Sequence, residues 1–131
     1  MRITAASKDL AGDLEEITGE VHDMWIDLDA VKCDDKARQV VIPVVPTVWK
    51  RWLWGLLQSG RAGKEPSLLL TIKGVKEAQI EDRERIGLYP INRLRFEERK
   101  RELVVRCDMP LGFRVLLDED FVVETMKVEG A

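Results

Sequence analysis

Nucleophilic and metal chemistry have few residues to draw on in this chain. It has one histidine, His22, and two cysteines, Cys33 and Cys107. Its serines are Ser7, Ser59 and Ser67, none of them in a GxSxG turn. A catalytic dyad would have to join His22 to Cys33 or Cys107. Each cysteine is followed by an aspartate, Asp34 or Asp108, and a nearby carboxylate raises a thiol pKa rather than lowering it. Structural zinc needs paired ligands at CxxC or HxxxH spacing, and neither spacing occurs. No catalytic, metal or cofactor residue is assigned on these grounds.

Two short motifs fall short of the sites they resemble. His22-Asp23 resembles the HD pair of metal-dependent phosphohydrolases, which need further histidines to complete a metal shell. Gly60-Arg61-Ala62-Gly63-Lys64 is similar to a phosphate-binding loop. That pattern needs glycine at 58 and Ser or Thr at 65, where Gln58 and Glu65 stand. The acids Asp27/Asp29 and Asp118/Glu119/Asp120 read as a solvated strand face and a turn. Arg93 and Arg95 alternate near Tyr89 and could form a basic strip with Arg106 on a neighbouring strand. The plainer reading pairs them across strands with Glu102 and other acids.

The densest set of recognition-type residues is Val48 to Leu57, VWKRWLWGLL, with three of the four tryptophans. At about 100° per residue, Trp49, Trp52, Leu53, Leu56 and Leu57 share one helical face. Lys50, Arg51 and Gln58 take the other, and Trp54 falls on that polar side. Gly55 disfavours a helix by about 1 kcal/mol relative to alanine, so a structured loop stays open. The stripe either plugs one end of a small β-structure as core or forms a contact surface. Tryptophan and arginine are the types most enriched at binding hot spots. The expected interaction surface is Trp49, Lys50, Arg51, Trp52 and Trp54, with Arg61 and Lys64 of the following loop. Trp54 lies about 140° from Trp49 and is expected to meet a second surface: a partner chain, the loop 59–66, or the guanidinium of Arg51 or Arg61. Truncating Trp52 as a core residue is expected to cost roughly 3–5 kcal/mol.

Composition bounds the rest. A chain of 131 residues, 45% hydrophobic and 34% charged, fits one globular domain with a charged surface. The longest apolar run, Val40 to Trp49, holds Pro43 and Pro46 and is about half the length of a membrane span, so no membrane insertion is expected. No basic-then-apolar segment opens the chain. The two cysteines read as buried free thiols in a reducing compartment, which places the protein in the cytoplasm. A net charge of −3 argues against general nucleic-acid binding. The charge is unevenly spread. Residues 1–35 carry ten acids and three bases, residues 36–64 carry six bases and no acid, and the remainder is near balance. The acidic and basic stretches are expected to pair with each other.

These residues must be held by elements that the pattern partly defines. Ser7 caps a helix through about Thr18, with Leu10, Leu14 and Ile17 on one face and Gly19 as its stop. From Val21 the period becomes two: Met24, Ile26, Leu28 and Ala30 point one way, and Asp23, Trp25, Asp27 and Asp29 the other. Asp34-Asp35-Lys36 turns into a strand over Arg38 to Val45. Pro43 and Pro46 put that strand at an edge or end it in a bulge. Leu68 to Ile80 is a long strand with Leu68, Leu70 and Ile72 inward and Gly74 at a bulge or bend. Ile86 to Phe96 follows, with Leu88, Leu94 and Phe96 on one face, then Glu102 to Asp108, Phe113 to Leu117 and Phe121 to Val128. The expected fold is mainly β, a single antiparallel sandwich or barrel-like domain of about seven strands with an N-terminal helix and a Trp-rich helical or loop segment. An α+β arrangement with both helices on one sheet face is the rival.

The functional expectation is a non-enzymatic cytoplasmic interaction module, a homodimer or the binder of another protein, that makes contact through the Trp-rich basic segment. The alternative is a small-ligand-binding β-barrel with a mouth lined by Trp25, Trp49 and Trp52.

Overall fold

The computed structural model describes residues 1–45, 68–108 and 111–128. Strand β1 (Arg2–Thr4) and helix α1 (Leu10–Val21) open the chain. Strands β2 (Trp25–Asp27), β3 (Lys32–Asp34), β4 (Gln39–Val45), β5 (Leu68–Glu81), β6 (Leu88–Glu97), β7 (Glu102–Cys107) and β8 (Gly112–Lys127) follow. Every pairing is antiparallel. Running β8-β5-β4-β2-β6-β7 and returning to β8, six strands close a barrel, with β1 added to β8 and β3 to β4 on the outside. The mainly-β expectation holds, and its barrel form is the one found.

Alternation explains why these segments are strands. Val40, Ile42 and Val44 of β4, Leu68, Leu70 and Ile72 of β5, and Phe113, Val115 and Leu117 of β8 all point inward and are buried. Leu14, Ile17 and Val21 of α1 join the same core, and Phe96 stacks on Phe121 at 5.4 Å to tie β6 to β8.

The helix differs at both ends from its expected span. Asp9, not Ser7, is its N-cap and accepts from the Gly12 amide at 3.1 Å. The Ser7 hydroxyl instead donates to Asp13. Gly19 does not stop it: the buried stripe Leu14, Ile17, Thr18, Val21 carries the helical period past that glycine. Asp23, at φ 63°, turns the chain out. The single strand expected from Val21 to Ala30 is therefore only β2, ended by a 3-10 turn at Leu28–Ala30 that Asp27 caps.

Three irregularities shape the wall. Pro43 does not sit on an edge strand, because β4 pairs with β5 on one side and with β3 and β2 on the other. It falls between the rungs to β3, which end at Val41, and those to β2, which begin at Val44, so its missing donor costs no rung on that side. In β6 the inward face changes phase. Tyr89 and Ile91 are buried, a register shift follows, and Leu94 is buried next. The expected inward Leu88 is only half-buried for that reason. The Leu94 amide at this bulge donates to the buried Thr18 hydroxyl at 3.2 Å, so α1 satisfies a rung the ladder gives up. Finally, Asp118-Glu119-Asp120 is no turn between strands but a bulge inside the continuous β8, opposite Gly74 of β5.

The β5–β6 connection is held by one carboxylate. Asp82 accepts from the amides of Ile86 (3.1 Å) and Gly87 (2.9 Å) and from the buried Tyr89 hydroxyl. The Tyr89 bond, before the amides, holds the Asp82 carboxyl below its ordinary range. The same bond, helped by burial, pushes the Tyr89 hydroxyl up to about 12. Asp82 thus adds stability that is complete above its unfolded pKa, about 4, and is lost as pH falls through its lower folded value. Asp82→Asn should flatten the loss of stability below about pH 4. Denaturant midpoints measured between about pH 2 and 7 check this; parallel curves for both proteins would remove Asp82 from the acid limb.

Candidate interaction site

The sequence places the interaction surface at Trp49, Lys50, Arg51, Trp52, Trp54, Arg61 and Lys64, all of which lie outside the described residues. What is described is the pair of strand ends between which they lie in the chain. β4 ends at Val45 and β5 begins at Leu68, and these strands are direct neighbours with Val44 opposite Leu68. Their register runs unbroken from that rung to Gln39 opposite Lys73. Residues 46–67 are therefore inserted at the position of a β-hairpin turn, where two to five residues suffice.

The barrel end around this junction is rich in methionine, with charged and polar residues beside it. An opening of about 670 Å³ is bordered by Met1, Glu20, Met24, Leu68, Thr125 and Lys127. Met126 beside it is 60% exposed. Methionine is flexible and polarizable, which suits surfaces that adapt to what covers them. Trp25 stands at this same end, half-buried, with Val45 on one side of it and Pro90 on the other. It is the one expected mouth tryptophan within the described residues. The interior below is occupied by Ile26, Ile42, Leu70, Ile72, Ile91 and Val115, each with none of its surface exposed. Six strands enclose less space than the eight that leave room for one small ligand.

The residues weighed for catalysis are scattered. His22 is exposed; its Nδ1 lies 2.9 Å from the Asn92 carbonyl and its Nε2 lies 3.5 Å from Asp23. Asn92 also donates to Asp108 at 2.5 Å, so one asparagine joins the helix end to the end of β7. Among the described residues no group of three His, Cys, Asp or Glu is placed to hold a metal ion. Both cysteines are free, but Cys33 is exposed rather than buried, since β3 lies on the outside of the barrel. Burial first, then Asp108, pushes the Cys107 thiol up to about 12. The Cys33 thiol is also raised, by burial first and then by Asp35. An aromatic disulfide reagent at about pH 8 should therefore titrate Cys33 quickly and Cys107 much more slowly in the native protein. Two fast thiols in the native state would contradict this placement.

The expected match of acidic first and basic second stretches rests mostly on Lys50, Arg51, Arg61 and Lys64, which lie outside the described residues. Of the basic stretch, Lys36 and Arg38 are described, and Arg38 pairs with Asp118 of β8 at 2.8 Å. Of the arginines singled out by sequence, Arg93 pairs with Glu15 of α1 at 2.9 Å and stands directly opposite Arg106. Sequence reasoning missed Arg114, which the β7–β8 register brings beside them. Among the described residues no helix is long and apolar enough to cross a membrane. Comparisons with protein-family models, with curated proteins and with solved structures found no match to this chain.

Proposed function

We propose that the protein is a non-enzymatic interaction module of the cytoplasm, in which the barrel is a scaffold and residues 46–67 are the working part. The observation that carries this reading is the insertion itself. Two strands already in register need no long connection, and connections of this length in compact domains are usually functional or disordered. This one carries three tryptophans, two arginines and two lysines, the chemistry of a hot spot, and its flanking strands end beside a methionine-rich opening. Two free thiols fit a reducing compartment. The partner is another protein, in the first instance a second copy of the chain, giving a homodimer.

Light scattering on the full chain tests the self-partner. Dimer is expected at micromolar concentration, and Trp54→Ala should weaken it by about tenfold or more while leaving the unfolding midpoint nearly unchanged. A monomer at high micromolar concentration would remove the homodimer. A Trp54→Ala chain as destabilised as Trp52→Ala would remove Trp54 from the contact surface.

A further inference from the structure

Independently of residues 46–67, the outer face of β6, β7 and β8 carries a second surface whose chemistry is set by register. Arg93 stands opposite Arg106. One rung along, Arg95 stands opposite Val104, which stands opposite Arg114. The next rung is acidic, with Glu97 opposite Glu102. Like charges facing each other across two strands cost stability, so this placement is not explained by the sheet itself. Arg93 is answered by Glu15 at 2.9 Å and Arg114 by Glu102 at 3.6 Å. Arg95 and Arg106 have no acid partner among the described residues. They are diagonal neighbours on adjacent strands, about 7–8 Å apart at the backbone, close enough for two guanidiniums to converge on one anion.

The surface is concave. The β7–β8 ladder ends at Val104 opposite Arg114, and beyond that rung the two strands part. A groove of about 540 Å³ opens there, with Arg95, Arg106 and Arg114 around Val104, Cys107 and Leu111. That volume lies within the range of small-molecule sites. Arginine presents a planar fork that grips phosphoryl and carboxylate groups bidentately. Val104, Cys107 and Leu111 are half-buried and offer an apolar floor. Glu97 and Glu102 line the same groove beside Lys100, and with a net charge of −3 they would repel a chain of phosphates, so a polyanion does not fit.

We infer that the groove between β7 and β8, with Arg95 and Arg106 at its rim, binds a small molecule carrying one phosphoryl or carboxylate head on an apolar body. The test is a titration of the ¹⁵N-labelled full chain, in phosphate-free buffer of low ionic strength, with phenyl phosphate, benzoate and benzyl alcohol. Phenyl phosphate or benzoate should shift the amides of Val104 to Cys107 and Leu111 to Arg114 saturably in the millimolar range. The tighter of the two identifies the head group. Benzyl alcohol, and sodium chloride at matched ionic strength, should not reproduce the shifts. Arg95→Gln with Arg106→Gln should weaken binding about tenfold or more while the rest of the spectrum stays in place. No saturable shift from either acid, an equal response to benzyl alcohol or chloride, or unchanged affinity in the double variant would overturn the assignment.

Discussion

Replacing residues 46–66 with Asn-Gly should leave a folded barrel at least as stable as the full chain. Asn-Gly is the two-residue turn that suits the twist of paired strands, and it would join Val45 to position 67 in the register already set by Val44 opposite Leu68. Loop closure costs about 0.6 kcal/mol per doubling of length, so a roughly tenfold shortening should stabilise by about 2 kcal/mol. The competing reading makes the opposite forecast. If Trp49 and Trp52 plug the barrel end as core, their loss should cost roughly 3–5 kcal/mol each. Urea unfolding followed by far-ultraviolet circular dichroism separates outcomes of opposite sign. A midpoint well below that of the full chain would mean that the tryptophans belong to the core.

Gly74→Ala should be among the most damaging single changes in the described structure, by about 3 kcal/mol. Gly74 sits at φ +76°, where an alanine is strained. A Cβ there would lie 2.9 Å from the Phe121 Cα and 2.6 Å from an Asp118 carboxylate oxygen. Backbone cannot yield as a side-chain tip can. Displacing Asp118 would also break its 2.8 Å pair with Arg38 and its bond to the Asp120 amide, so the β5–β8 bulge would lose its fastening. Gly19→Ala is the internal control. Gly19 is exposed within α1 with nothing within 4 Å of an added Cβ, so alanine should stabilise by about 1 kcal/mol. Thermal or urea unfolding of the two variants should move in opposite directions; a Gly74→Ala protein of unchanged stability would contradict the bulge geometry.

What the sequence made legible was whatever depends on local period. Leu68, Leu70 and Ile72 read as the inward face of a strand, and Gly74 as its bulge or bend, because alternation and glycine are local signals. What it hid was set by partners distant in sequence. The phase change in β6 is stabilised by Thr18, far back in the chain, which takes the Leu94 amide. Asp118-Glu119-Asp120 has the composition of a turn, and only the facing strand β5 makes it a bulge. Overlapping signals misled at α1: the acids after Val21 suggested alternation, while the buried helical stripe ran on to Val21 itself. Arg93, Arg95 and Arg106 could be picked out as a strip, but their facing rungs, and the addition of Arg114, follow from registers that composition does not encode. The insertion of residues 46–67 at a hairpin was equally hidden, since only pairing shows that the flanking strands were already neighbours.

The division of the molecule into scaffold and insert is tested most directly by sedimentation equilibrium of the full chain beside the chain closed with Asn-Gly. The full chain should show a concentration-dependent monomer–dimer equilibrium at micromolar concentration, and the closed chain should remain a folded monomer throughout. A closed chain that associates as strongly as the full one, or a full chain that stays monomeric at high micromolar concentration, would contradict it.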